Sequence, residues 1–402
     1  MKKCYYEWDA KADREKRKRE RACMKVDFKY IASFLVVVLL FLGVVVLSGD
    51  YIDYRRNYKD FQEYMAQKEQ QDNGNSETPE TGTIPPETTP QETTPAETEP
   101  AVTPAPMVPG EVLAGSHAIT DVSGNVLWQA DSLTQEEVDA IRGYVAERKE
   151  VYGWSSSYEK TLKINELDKL ILGAADCSFP NIQITFVGDS VTEGIGGNVD
   201  GTGRYISYVN YVQDALHFGT VLNNGKGGRM IADYTGDSTY SIAMDKDQLF
   251  NINSQIIVMY AGLNDYLTTL EKKDFGTLDS GSTSGYCGQL QILMNYLGEY
   301  YPSTDFFVVT AYPTAAVDTS TEVVGFAGGT PTLNDYLEQQ RIVAERNGFH
   351  LIELYNIGFM DGNDPQVVAN LMSDSLHPND TGYQILGDHI AAEILLYYLG
   401  IE

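Results

Sequence analysis

Residues 180–402 predict an α/β fold, a parallel sheet covered by helices on both faces. Two observations carry the prediction. From Pro180 onward, short runs rich in Ile, Val, Phe and Tyr alternate with amphipathic stretches, and strands separated by helices pair in parallel with each helix crossing a face of the sheet. The first three runs are each followed by glycine, at Gly188, in the Gly225–Gly228 turn and at Gly262. There the chain must turn at the carboxyl end of a strand, where open α/β sheets place their ligands. A segment of this length buries a substantial core by itself, and no internal repeat is apparent.

Upstream of that domain the composition changes several times. Residues 1–29 form a basic cytoplasmic tail with 11 Lys+Arg and 6 Asp+Glu; the whole chain has 29 and 57, leaving 18 and 51 for residues 30–402. So acidic a body repels a phosphate backbone, which excludes nucleic acid as the main partner. Residues 30–49 carry no charge and are mostly Val, Leu, Ile and Phe; as a helix they reach ~30 Å, enough to cross the hydrocarbon core. The run is apolar all round, and Leu47-Ser48-Gly49-Asp50 is a poor signal-cleavage site, so an uncleaved transmembrane helix is expected. Lys16, Arg17, Lys18, Arg19, Arg21, Lys25 and Lys29 precede it, against Arg55, Arg56 and Lys59 after it. The positive-inside rule then anchors the chain in the cell membrane by one helix, with everything after Gly49 outside.

Tyr51, Tyr54, Tyr58, Phe61 and Met65 recur at three- and four-residue steps, marking 50–72 as a membrane-proximal helix or stalk. In residues 73–109, 24 of 37 are Thr, Pro or Glu, with no aromatic, Lys or Arg. That composition cannot bury enough apolar surface to offset chain entropy and predicts a disordered linker. Its reach of ~35 Å as a flexible coil carries the head away from the bilayer, into the wall layer if the cell is a Gram-positive bacterium. Residues 110–179 read as a helical preface packing on the domain that follows. Thr134-Gln135-Glu136-Glu137 is a capping box before Val138, Ile141 and Val145, predicting a helix to about Val151. Leu162, Ile164, Leu167, Leu170 and Ile171 mark a second helix, and Trp128 and Trp154 point to packing.

Within 180–402 the expected strands are Ile182–Val187, Thr220–Asn223, Gln255–Tyr260, Phe306–Ala311 and Leu351–Leu354, with helical stretches at Tyr208–Leu216, Leu290–Leu297, Leu333–Arg346 and Gly382–Leu399. Cys177 and Cys287 fall on the outer side; a disulfide and two separate thiols both fit that compartment. No CxxC or Cys/His spacing suggests a metal site.

Four fragments carry chemistry. Ser190 follows the first strand in Gly188-Asp189-Ser190 and offers a hydroxyl nucleophile, with Asp189 expected as a structural hydrogen-bonder. Gly228 ends Asn223-Asn224-Gly225-Lys226-Gly227-Gly228 after the second strand, and its N–H can approach a substrate oxygen unobstructed. Gly225 or Gly227 takes that role if the register slips. Asn264 follows the third strand in Gly262-Leu263-Asn264-Asp265, where its amide can donate to a developing oxyanion. Asp374 and His377 sit three apart in Asp374-Ser375-Leu376-His377-Pro378, and Pro378 favours a loop at His377. An imidazole base, a carboxylate to orient it, a hydroxyl and oxyanion donors are what acyl transfer needs. His117, His217, His350 and His389 suit packing or surface roles.

In this order the four fragments resemble the diagnostic blocks of the SGNH hydrolase family, also called GDSL-type esterases. The second block's Asn and Gly keep a five-residue spacing at Asn223 and Gly228, although Arg229-Met230 replaces the polar pair often seen next. The resemblance covers residues 180–402. It implies a flavodoxin-like three-layer α/β/α fold with a five-stranded parallel sheet, Ser190, Asp374 and His377 as catalytic residues, and Ser190, Gly228 and Asn264 as the oxyanion hole. It also implies no cofactor or metal, and an acyl-Ser190 intermediate resolved by water. With the expected topology, this points to an extracytoplasmic serine esterase acting on small acyl esters of a small molecule or polysaccharide, such as O-acetyl groups at the cell surface. The alternatives are a polysaccharide O-acetyltransferase, a lysophospholipase or lipase, and a non-catalytic binding module. The loops Thr268–Gly288 and Pro313–Pro331, rich in Gly, Ser, Thr and Asp, are expected to shape the pocket.

Overall fold

The computed structural model describes residues 112–268, 272–279, 285–315, 322–324 and 330–401. The tail 1–29, the apolar run 30–49, the stalk 50–72 and the linker 73–109 lie outside the described residues, as does much of the loops 268–288 and 313–331. Among the described residues no helix is long and apolar enough to cross a membrane.

Two short antiparallel strands, β1 (Ile119–Thr120) and β2 (Val126–Trp128), come first, followed by helices α1 (Gln135–Val151) and α2 (Ser157–Ala175). Thr134 and Glu137 form the capping box that starts α1, satisfying backbone N–H groups that an uncapped end leaves unpaired. Ser156 caps α2, which ends at Asp176 in the left-handed conformation. The chain then runs through β3 (Gln183–Gly188), α3 (Ser190–Glu193), α4 (Tyr208–Leu216), β4 (Thr220–Gly225), α5 (Lys246–Leu249), β5 (Ile256–Tyr260) and α6 (Leu263–Leu267). After these come β6 (Lys272–Asp274), α7 (Tyr286–Tyr300), β7 (Asp305–Val309), β8 (Glu322–Val324), α8 (Leu333–Asn347), β9 (His350–Ile352), α9 (Pro365–Leu371) and α10 (Asp380–Leu399).

The main sheet has five strands in the order β4-β3-β5-β7-β9, every pair parallel. Numbered along the chain this is 2-1-3-4-5, the flavodoxin-like arrangement, whose ligand crevice opens beside the first strand where the strand order reverses. β5 reads Ile-Ile-Val-Met-Tyr and is buried throughout, as a strand covered on both faces must be. Its residues divide between two cores. Ile256, Val258 and Tyr260 join one with α1, α2, α4 and α10, while Ile257 and Met259 join another with α7 and part of α8.

The five expected strands all form, with ends moved by at most two residues. Those ends are set by ladder pairing, which hydropathy does not show. β4 runs on past Asn223 because Gly225 pairs with Gly188, and the expected Phe306–Ala311 and Leu351–Leu354 are observed as Asp305–Val309 and His350–Ile352. In the preface, Trp128 stacks on Phe179 with ring centroids 4.7 Å apart. Trp154, expected to pack, is 44% exposed instead; it sits in the turn between α1 and α2, off the inward face of either. Leu162 and Leu170 also face outward, eight residues apart on one side of α2, while Ile164, Leu167 and Ile171 are fully buried on the other. Cys177 and Cys287 are separate thiols; burial pushes their pKa values up to about 11 and about 12, which disfavours the reactive thiolate.

Candidate active site

Ser190 is the first residue of α3, directly beyond β3, and Asp189 caps that helix by accepting the Val191 N–H at 3.0 Å. The tight turn needs Gly188, where a Cβ would lie 2.1 Å from Thr192 Oγ1 and 2.3 Å from the Tyr260 carbonyl. Far along the chain, the loop between α9 and α10 folds back on itself. Ser373 N–H donates to the His377 carbonyl at 2.8 Å, and Asn379 then caps α10. This loop brings His377 to Ser190, with Nε2 2.9 Å from Ser190 Oγ. On the other side of the ring Nδ1 lies 2.9 Å from Asp374 Oδ2. Asp374 Oδ1 accepts the backbone N–H groups of Leu376 and His377 at 2.7 and 2.6 Å. Burial alone would raise the Asp374 pKa, but the bonds from the His377 ring and from these two N–H groups outweigh it and hold the carboxyl below its ordinary value. With the ring proton on Nδ1, where Asp374 accepts it, the Nε2 lone pair faces the Ser190 hydroxyl.

The glycine-rich turn after β4 lies against the same serine. A Cβ at Gly227 would sit 3.9 Å from Ser190 Cβ. The three glycines differ in what their N–H groups do. Gly225 N–H donates to Asn223 Oδ1 at 2.9 Å and Gly227 N–H to Glu193 Oε2 at 2.6 Å. Gly228, at φ +75°, has no hydrogen-bond partner for its N–H among the described residues. Asn264 lies in the first turn of α6 and donates one amide hydrogen to the Arg229 carbonyl at 3.1 Å, leaving the other for an acceptor. The order of the blocks along the chain thus becomes proximity in space.

A family model, the GDSL-like Lipase/Acylhydrolase family, matches residues 186–385. Residues 186–385 form a domain of that family. Its members are lipases and acylhydrolases, and the match spans Ser190, Gly228, Asn264, Asp374 and His377. Among solved structures the chain is similar to a Lactobacillus plantarum protein at 19% identity, covering 55% of this chain and 97% of that one with a TM-score of 0.44. It is similar to a possible lipase from Chitinophaga pinensis at 17% identity, covering 55% and 100% with a TM-score of 0.40. A third is Est24, a carbohydrate acetylesterase from Sinorhizobium meliloti, at 14% identity, covering 54% and 99% with a TM-score of 0.35. No curated protein matches the chain.

Several residues around this GDSL-type site were not singled out by sequence. Asp265, fully buried, accepts the N–H groups of Ile231 and Ala232 at 2.7 and 2.9 Å. Together with Asn264 it staples the segment after Gly228 to α6. Arg229, the departure noted in the second block, is 6% exposed and its guanidinium donates to the Asn224 carbonyl. Burial is the larger influence and lowers its pKa. Tyr312 donates to the Leu376 carbonyl at 2.6 Å and Tyr383 to the Ile195 carbonyl at 2.7 Å. Asp265 carried a local signal, an acid beside the candidate Asn, and Arg229 one as a departure from the second block; the tyrosines are far from their partners in sequence. Among the described residues no group of three or more His, Cys, Asp and Glu is arranged to hold a metal ion.

Proposed function

We propose that the protein is a membrane-anchored, extracytoplasmic serine esterase that removes small acyl groups, O-acetyl groups of a surface or wall polysaccharide being the substrate class. The observation that carries the enzymatic reading is the continuous relay of 2.9 Å contacts from Ser190 through His377 to Asp374. In this reading Ser190 Oγ attacks the ester carbonyl and His377 Nε2 takes its proton, while Asp374 stabilises the imidazolium that forms. The carbonyl oxygen becomes an oxyanion, accepted by the N–H groups of Ser190 and Gly228 and the free amide hydrogen of Asn264. When the tetrahedral adduct collapses, the C–O bond to the alcohol breaks and His377 returns the proton to the leaving oxygen. Water then attacks the acyl-serine by the same route, releasing the carboxylic acid and restoring Ser190.

The anchored topology is supported by the uncharged run 30–49, the basic residues before it and the Thr/Pro/Glu-rich linker 73–109. A head held away from the bilayer meets surface glycan before lipid, which favours a sugar ester over a phospholipid. The test incubates the full chain with p-nitrophenyl acetate and with acetylated glycans, with and without acceptor sugars. Acetate release and fluorophosphonate labelling are expected from the wild type, with both abolished in Ser190→Ala. Acetyl transfer to the acceptor in place of acetate release would make the protein a transferase. Failure of the wild type to label or turn over would remove the enzymatic reading.

A further inference from the structure

Helix α2 lies outside the region matched by the family, yet its first turns grip the chain that leads to the candidate acid–base loop. Ser157 Oγ donates to the Gly358 carbonyl at 2.8 Å and accepts the Asp361 N–H at 2.9 Å. Lys160 Nζ donates to the Ile357 carbonyl at 2.8 Å, and Thr161 Oγ1 accepts the Met360 N–H at 2.9 Å. The Tyr158 N–H donates to Asp364 Oδ2 at 3.1 Å. Five contacts from four residues in the first turns of one helix thus fall on residues 357–364.

That gripped segment continues into the site. Met360 is fully buried with φ +50°, a left-handed conformation that a non-glycine residue keeps only where its surroundings impose it. Its side chain reaches the start of α10, since a Cβ at Gly382 would lie 3.0 Å from Met360 Cε and equally close to Pro378 Cβ. Two residues on, Gly362 donates its N–H to the Pro313 carbonyl at 2.8 Å, and a Cβ there would meet the Ser375 carbonyl at 3.4 Å. Residues 357–364 are therefore wedged between α2 and the loop carrying Asp374 and His377.

We propose that Ser157, Lys160 and Thr161 are positioning residues for His377, so that the start of α2 holds the acid–base loop in place and is not a spacer. This rests on the esterase reading above. A loop holding a base against a serine at 2.9 Å has no regular secondary structure of its own to keep it there. Small misplacements of reacting groups are costly in rate, up to about a hundredfold for ~1 Å. Thr161 pins Met360 in the segment against which that loop packs.

The test uses the full chain with Thr161→Val, Thr161→Ser and Ser157→Ala, and Ile141→Val in α1 as a control that weakens the core away from the loop. For each, kcat and KM on p-nitrophenyl acetate, thermal stability, and hydrogen exchange of the peptide spanning 371–379 are measured. Thr161→Val is expected to lower kcat by about tenfold with KM within about twofold, as for misaligned groups. It should also speed exchange at 371–379, with Thr161→Ser restoring both and Ile141→Val altering neither. If Thr161→Val does not fold, Ser157→Ala gives the same two readings. The proposal is overturned if the variants change kcat and exchange no more than Ile141→Val does. A wild type inert toward esters would remove the esterase reading, while the exchange comparison would still decide whether α2 holds the loop.

Discussion

Two carboxylates flank the candidate nucleophile and are perturbed in opposite directions. Asp374 accepts three hydrogen bonds and is held low, so its contribution to stability is present above its unfolded pKa and is lost as pH falls through the folded value. Asp189 is 1% exposed, and its Oδ2 is buried without a partner. Burial pushes its pKa up to about 6, against the Val191 N–H and His377, which pull it down. Its folded pKa thus lies above the unfolded one, so the group favours the folded state below about pH 4 and that advantage disappears as pH rises through 6. In Asp189→Asn the amide oxygen can keep the Val191 bond and nothing ionises. The stability of this variant relative to wild type is expected to rise between pH 4 and pH 7 by on the order of 2–3 kcal/mol, read from urea unfolding at both pH values. A difference that stays flat would mean Asp189 is already ionised at low pH or remains protonated throughout. The identities of Ser190, Asn264, Asp374 and His377 were legible as local fragments, because each lies in a short run of characteristic residues. Arg229 was legible only as a departure, and its burial was not.

At the scale of elements, the site is a meeting of loops made possible by absent side chains. Gly196 lies after α3 at φ +99°, and a Cβ there would fall 2.3 Å from Ser373 Oγ, 2.6 Å from the Pro378 carbonyl and 3.0 Å from His377 Cβ. Alanine at 196 must push the loop carrying Asp374 and His377 away or strain the turn after Ser190. We expect Gly196→Ala to reduce kcat on p-nitrophenyl acetate by on the order of a hundredfold. Circular dichroism should still show a folded protein, since the contact is confined to two loops. Unchanged kcat would show that the loop yields at no cost to catalysis. Helix spans were well read from sequence where capping residues mark them: Thr134 starts α1 and Tyr208–Leu216 is α4. The first residue of α10 and the last of β4 were not: the cap at Asn379 was not singled out, and the end of β4 is set by pairing with Gly188, distant in sequence.

Across the whole described molecule, a buried ionic cluster joins the preface to α10. Asp168, fully buried, accepts Arg148 Nη1 at 2.6 Å and pairs with His389 Nδ1 at 2.8 Å, while Arg148 Nη2 pairs with Glu393. Burial alone would lower the Arg148 pKa, but Glu393 and Asp168 together raise it, so the guanidinium stays charged. Removing one member of such a cluster strands another in a low-dielectric interior. Arg148→Met is expected to destabilise the fold by roughly 3–5 kcal/mol, read as a lower urea midpoint; a loss under about 1 kcal/mol would mean that water reaches Asp168. Nothing in the local pattern around Arg148 or His389 announced this cluster, because its members come from three helices. The alternation of strands and helices, the capped helix starts and the four chemistry-bearing fragments were set by the sequence alone, since each depends on neighbours a few residues apart. Which glycine N–H stays free, how Ser190 meets His377 and what the preface grips were decided only by tertiary structure, where residues nearly two hundred positions apart come within hydrogen-bond reach.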